Sequence, residues 1–123
     1  MKGAIRIRRC ATLADVRREI DRLDKQIVRL LAERAGYVGE AARVKERASQ
    51  IVDRARIEQV VGRAGERAEA FGADGETIAR IYRAMIDAFI AFERRAFVGK
   101  GRTAAKTKGA KKKAAKKAKR PTR

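Results

Sequence analysis

The sequence predicts an all-α protein with three helices in each protomer, because apolar residues recur at alternating spacings of three and four and no strand-like alternation competes with them. The single Pro is Pro121, and Gly is scarce between Thr12 and Glu58, so little interrupts helical structure there. The 26 residues from Val98 onward contain basic residues and no acidic one. We therefore predict a flexible N-terminus over 1–12, a helical domain over 13–97 and a disordered Lys/Ala-rich tail over 98–123.

The first helix is predicted to run from Leu13 to Arg47, and Thr12 followed by Asp15 has the form of a capping box at its start. One face carries the apolar residues Leu13, Val16, Ile20, Leu23, Ile27 and Leu30. Such a helix is about 52 Å long, whereas a compact monomer of about 97 residues is only about 32 Å across. Burial of the apolar stripe therefore favours a homodimer that shares this very long helix. The alternative is a helix broken near Gly36 and Gly39.

Two further helices follow. The second is predicted between Asp53 as its N-cap and Gly72 at the C′ position. The third begins at Asp74 and carries apolar residues as far as Phe97 over a surface wider than one stripe. We therefore expect the third helix to be covered on two sides.

The residue inventory excludes several kinds of chemistry. The chain has no His and a single Cys, Cys10, which excludes Ser-His, Cys-His and Cys/His metal sites. No metal or other cofactor is expected. An apolar signal region and a stretch of about 20 apolar residues are both absent, so we expect a soluble, cytoplasmic protein without membrane contact.

Two cations of the first helix fall on its apolar face. Arg34 continues the register of the stripe, and Lys45, eleven residues later, faces within about 20° of it. Inward cations require an anion, which is either an internal acid such as Asp24 or Glu33, or a bound ligand. Arg17 is rotated by roughly 100° from Arg34 and should serve a different pocket, which in a dimer is that of the partner.

A carboxyl group lies on the apolar line of the third helix. Glu93 follows Ile86 and Ile90 at helical spacing and precedes Phe97. An apolar setting favours the neutral acid, which can donate a hydrogen bond to an ether or carboxylate oxygen of a ligand. The alternative is that Glu93 pairs with one of the inward cations.

These residues, in this order, resemble the all-helical class of chorismate mutases and their relatives, the isochorismate pyruvate lyases. The most specific match is in the first helix, where an Arg, a Leu-Asp pair, a second Arg and a Lys fall on Arg17, Leu23-Asp24, Arg34 and Lys45. In the following segment, IVDRARIEQVV, Arg56 falls on the loop-proximal arginine of the family.

The resemblance implies an intertwined homodimer with two shared pockets and no cofactor. Arg34, Lys45 and Arg56 of one chain and Arg17 of the other would hold the two carboxylates of a small dianionic substrate, chorismate or isochorismate. Glu93 would meet its ether oxygen. The implied activity is that of a chorismate mutase, which converts chorismate to prephenate and needs neither proton transfer nor a covalent intermediate. The alternative is an isochorismate pyruvate lyase, which yields salicylate and pyruvate.

Three positions depart from the mutase pattern. Many members carry Gln where this chain has Glu93. Mutases commonly have Glu directly after the loop-proximal arginine, whereas this chain has Ile57 and the lyase branch has an apolar residue there. Phe89 replaces a small hydroxyl residue and could narrow the pocket. The choice between mutase and lyase therefore stays open.

The tail suggests a function of another class. The segment KTKGAKKKAAKKAKRPTR has the composition of linker-histone tails and could bind nucleic acid through counterion release, or it only solubilises the protein. A nucleic-acid-binding function explains the tail but not Arg34, Lys45 and Glu93 on apolar faces. For a chain cut after Phe97, the enzyme hypothesis predicts that turnover survives and that DNA retention is lost.

Overall fold

A computed structural model describes residues 3–109 of the chain. This part contains the helices α1 (Leu13–Val44), α2 (Arg54–Ala70) and α3 (Gly75–Gly109), with a short 3-10 turn at Ala48–Gln50 between the first two. The all-α prediction is confirmed, and no strand occurs among the described residues. None of the helices in this range is long and apolar enough to cross a membrane.

The start of α1 is the predicted capping box. The side chain of Thr12 accepts a hydrogen bond from the N–H of Asp15, and the Asp15 carboxylate accepts one from the N–H of Thr12. The segment before it contacts the helical domain, because the N–H of Ile5 donates to the carbonyl of Phe71 at 3.0 Å. The described part of the predicted flexible N-terminus is thus joined to the end of α2.

The end of α1 differs from the prediction. The helix stops at Val44, three residues before the predicted end at Arg47. The N–H groups of Glu46 and Arg47 do not continue the helical ladder, but donate to the side-chain oxygen of Gln50 at 2.8 and 2.9 Å. A local side-chain acceptor therefore competes with the backbone of α1.

The carbonyl groups of the last turn of α1 find a partner in another helix. The ammonium of Lys100 lies 2.9 Å from the carbonyl oxygens of both Ala42 and Arg43, which are the acceptors that a continuing helix would use. Side chains thus replace the hydrogen bonds of a further helical turn at both its donors and its acceptors. This exchange is why α1 ends early.

The ends of α2 agree with the sequence. The Asp53 side chain accepts from the N–H of Arg56 at 3.0 Å, which makes it the predicted N-cap. At the other end Gly72 has a φ of 87°, and the N–H of Ala73 donates to the carbonyl of Ala68 at 2.8 Å. This is a Schellman end with Gly at C′, where residues with a Cβ are strained.

The helix α3 packs against both α1 and α2, as its wide apolar surface predicted. The buried apolar residues are Ala42, Ile51, Val61, Ala64, Ala68 and Ile86. Glycines allow α2 and α3 to approach closely, since a Cβ on Gly75 would lie 2.8 Å from the carbonyl oxygen of Gly65. The small core leaves space between α1, α2 and α3 for the cavity described below.

Among residues 3–109, no other helix packs on the apolar face of the N-terminal half of α1. The apolar stripe defined above is between 38% and 61% exposed from Leu13 to Leu30. By contrast, Ala42 near the other end of α1 is 1% exposed. Only the C-terminal half of α1 therefore contributes to the core.

The helix α3 continues beyond the predicted start of the disordered tail at Val98 and is described as far as Gly109. Lys100, just past the apolar pattern, is bonded to the end of α1, and this contact supports the extension. The rest of the predicted tail, and with it most of the segment proposed to bind nucleic acid, lies outside the described residues.

Candidate active site

A cavity of about 410 Å³ lies where the end of α1, the 3-10 turn and the start of α2 face the middle of α3. Its charged and polar lining residues are Arg34, Lys45, Gln50, Asp53, Arg56 and Glu93. The remaining wall is apolar, with Ile57 and Val60 from α2 opposite Ile86 and Ile90 from α3. The cavity thus combines charged side chains with an apolar wall.

The structure brings together four of the five predicted site residues. Arg34, Lys45, Arg56 and Glu93 all line this cavity, although they come from separate parts of the fold. Arg17 does not line it and lies on the exposed half of α1. Seventeen residues of helix separate it from Arg34, a distance of about 25 Å along the axis.

Lys45 and Glu93 form an ion pair across the cavity wall. The Lys45 ammonium donates to a Glu93 carboxylate oxygen at 2.7 Å. Glu93 is buried, with 7% of its surface exposed. The contact corresponds to the pairing alternative in the sequence analysis, and it satisfies a buried carboxylate that would otherwise be costly.

The Arg34 guanidinium lies over the ring of Phe89, with 4.9 Å between its central carbon and the ring centroid. This is a cation–π contact, in which the ring face attracts the positive charge. Phe92 supports Phe89 edge-on, with 6.4 Å between ring centroids and 79° between ring planes. Phe89, which replaces a small hydroxyl residue of the family pattern, therefore orients Arg34, one of the candidate binding cations.

Arg56 occupies the rim of the cavity. Its side chain is exposed and donates to the side-chain oxygen of Gln59 at 3.3 Å. The Asp53 carboxylate accepts a hydrogen bond from the backbone N–H of Arg56, so the start of α2 contributes an acidic and a basic residue to the cavity. The exposed guanidinium can exchange its amide partner for an anion at little cost.

Two residues near the site were not among the sequence candidates. Gln50 lines the cavity, and its side-chain oxygen accepts hydrogen bonds from the N–H groups of Glu46 and Arg47. In the sequence, Gln50 shows only that the apolar pattern of the first helix has ended. Lys100 was assigned to the tail by composition. No local pattern identifies either, because their roles depend on contacts with other segments.

The arrangement suits a small ligand with two negative groups. Three cations line a partly apolar cavity, where electrostatic attraction is stronger than in water. The carboxylates of Asp53 and Glu93 balance part of this charge. The cavity can therefore hold and orient a dianion and stabilise charge that develops on it during a reaction.

Comparison with known proteins agrees with this geometry. The family model "Chorismate mutase type II" matches residues 16–94. An isochorismate pyruvate lyase from Pseudomonas aeruginosa is 33% identical over 82 residues, which cover 67% of this chain and 81% of that protein. The matched range contains all five predicted site residues.

Proposed function

Because this chain belongs to the chorismate mutase type II family, an enzyme family that acts on chorismate-type substrates, we propose that it binds chorismate in the described cavity and rearranges it to prephenate. The observation that carries this proposal is the convergence of Arg34, Lys45 and Arg56 in one cavity. Chorismate is a dianion with two carboxylates, and three cations can bind both of them. Holding them together selects the compact conformer in which the reacting carbons lie close.

The pair of Lys45 and Glu93 is proposed to meet the ether oxygen of the substrate. In the rearrangement this C–O bond breaks as a C–C bond forms, and no proton is gained or lost overall. Negative charge develops on the ether oxygen, so a nearby ammonium lowers the barrier. Lys45 is 24% exposed at its side chain and can turn from Glu93 toward the substrate.

The active form is proposed to be a homodimer in which Arg17 of each chain completes the pocket of the other. The exposed apolar stripe of α1 supports this, because a second copy would bury it. The long separation of Arg17 from Arg34 on the same helix also supports it, since Arg17 cannot reach its own cavity. Both observations place the proposed dimer contact on the N-terminal half of α1.

A second candidate is an isochorismate pyruvate lyase. The specific observation in its favour is that Ile57 lines the cavity at the position where mutases commonly carry a Glu for the substrate hydroxyl. The similarity to the Pseudomonas aeruginosa protein also favours it. Both reactions break the ether C–O bond, so the same cations serve either one.

The test offers chorismate and isochorismate separately to the purified protein and identifies the products. Prephenate from chorismate is the expected result. Salicylate and pyruvate as the sole products would replace the first candidate by the second, and no conversion of either substrate would overturn both. Lys45→Met should reduce the activity to a small residual rate, while Arg95→Met, on an exposed face of α3, is the matched control for loss of a cation.

A further inference from the structure

Lys100 lies beyond the family match, yet its side chain reaches the point where the chain leaves α1 for the cavity. Its ammonium lies 2.6 Å from the carbonyl oxygen of Lys45 and 2.9 Å from those of Ala42 and Arg43. An ammonium has three N–H donors, and these acceptors use all three. The contact is therefore a complete cap on the C-terminus of α1.

Lys45 is held by α3 at both of its ends. Glu93 binds its side-chain ammonium, and Lys100 binds its backbone carbonyl. Residues seven apart on a helix point within about 20° of each other, so Glu93 and Lys100 share one face of α3. One face of α3 thus holds both the backbone and the side-chain end of Lys45.

The charge and surroundings of Lys100 favour this position. The carbonyl end of a helix carries partial negative charge, which a cation stabilises. The ring of Phe97, on the same face of α3, lies 4.7 Å from the Lys100 ammonium and adds a cation–π contact. Lys100 is itself partly buried, so the contact is shielded from solvent.

The cap holds the backbone of Lys45. Lys45 has ψ 138°, an extended value, so the chain after it leaves the helix in the direction of the cavity. Gln50 holds the N–H groups that would continue α1, and Lys100 holds the carbonyls that would accept them. Without Lys100, the carbonyl of Lys45 would lose its bond to α3, and the backbone of Lys45 would shift relative to Glu93 and the cavity.

We propose that Lys100 is a positioning residue for Lys45. Together with Gln50 it ends α1 at Val44, and it holds the backbone of Lys45 against α3, so that the ammonium of Lys45 reaches the ether oxygen of the substrate. The expected effect of Lys100 on the reaction rate rests on the function proposed above. Its expected effect on the backbone of Lys45 does not depend on that function.

The kinetic test uses Lys100→Met, which removes the donors, Lys100→Arg, which keeps them, and Arg95→Met as the control on the same helix. Lys100→Met is expected to lower kcat by about 10- to 100-fold, the scale of a small misplacement, with little change in KM. Lys100→Arg should restore most of kcat, and Arg95→Met should match the wild type. Wild-type kcat in Lys100→Met would overturn the proposal.

A double variant separates positioning from general destabilisation. If Lys100 acts through Lys45, adding Lys100→Met to Lys45→Met should lower the rate no further. A further loss of the same size in the double variant would overturn the proposal. If Lys100→Met does not fold, Lys100→Gln, with two N–H donors on a shorter side chain, takes its place.

A measurement without turnover keeps this proposal distinct from the proposed function. The 13Cα chemical shifts of residues 44–47 report whether the backbone is helical. In Lys100→Met they should change, because the carbonyl of Lys45 loses its bond to α3, and in Lys100→Arg they should stay. Unchanged shifts in Lys100→Met would overturn the positioning role, whereas a wild-type protein that converts neither substrate would overturn only the proposed function.

Discussion

The ammonium of Lys45 and a carboxylate oxygen of Glu93 lie 2.7 Å apart, so the two groups proposed to meet one substrate oxygen are bonded to each other. A carboxylate in this pair neutralises a cation of the cavity and also opposes the approach of a dianion. As a carboxylate it accepts hydrogen bonds and cannot donate one to the substrate. The pair therefore has consequences for catalysis that can be measured.

Glu93→Gln should retain activity. Gln supplies an N–H donor of similar size, and the substitution removes a negative charge that opposes a dianion. The measurement is kcat/KM for the wild type and the variant under the same conditions. Glu93→Ala, which has no donor, should lose about 3 kcal/mol of transition-state stabilisation. A fully active Ala variant would place Glu93 outside the site.

Phe89→Leu should weaken substrate binding through Arg34. The contact between the guanidinium and the ring is worth about 0.5–1 kcal/mol, so its loss should lower kcat/KM by about two- to fivefold. Phe92→Leu is the matched control, because Phe92 packs on Phe89 but does not line the cavity. Equal losses in the two variants would show that packing, and not the cation–π contact, is responsible.

Arg17→Ala and Arg34→Ala should each be inactive alone and regain activity when mixed. In a dimer with shared pockets, a heterodimer has one intact pocket and one that lacks both arginines. Random exchange makes half of the dimers heterodimers, so about a quarter of the wild-type activity should return. Mass spectrometry confirms subunit exchange. No recovery after confirmed exchange would contradict shared sites.

Glu58→Gln should lower the melting temperature slightly at neutral pH. The guanidinium of Arg83 donates two hydrogen bonds to Glu58, at 2.7 and 2.9 Å, and holds the pKa of that carboxyl below its ordinary value. A lowered pKa in the folded state contributes stability above the unfolded pKa, and this contribution is lost as pH falls through the folded pKa. The pair joins α2 to α3 but is exposed, so salt should weaken its effect.

Thermal melts of the wild type and Glu58→Gln at several pH values check this. The difference in melting temperature should shrink as pH falls through the pKa of Glu58 in the folded state and vanish where the wild-type carboxyl is also neutral. Glu66→Gln, on the exposed side of α2, controls for loss of an acid. A difference that persists in strong acid would point to a packing effect instead.

Local signals in the sequence predicted the helix starts well. Thr12 with Asp15, and Asp53 before α2, act through partners within three residues, so the pattern contains the whole interaction. Gly72 also marks a local conformation. The spacing of apolar residues was sufficient to predict that Arg34 and Glu93 face inward, because helical periodicity determines the face on which each residue lies.

The features that the sequence did not predict depend on distant partners. The end of α1 depends on Gln50 and also on Lys100, which is 55 residues from Lys45 along the chain. The Lys45–Glu93 pair spans 48 residues, and spacing could not decide between a neutral acid and an ion pair. The contact of Arg34 with Phe89 likewise joins two helices. Each of these interactions is determined by the packing of α3.

The continuation of α3 to Gly109 determines where the protein can be divided for separate assays. A cut after Phe97 follows the apolar pattern but removes Lys100, so reduced turnover in that fragment would not show that the basic segment takes part in catalysis. A chain ending at Gly109 keeps the described length of α3 and discards six of the nine lysines that follow Val98. Retention on DNA and conversion of substrate can then be assigned to different parts of the same polypeptide.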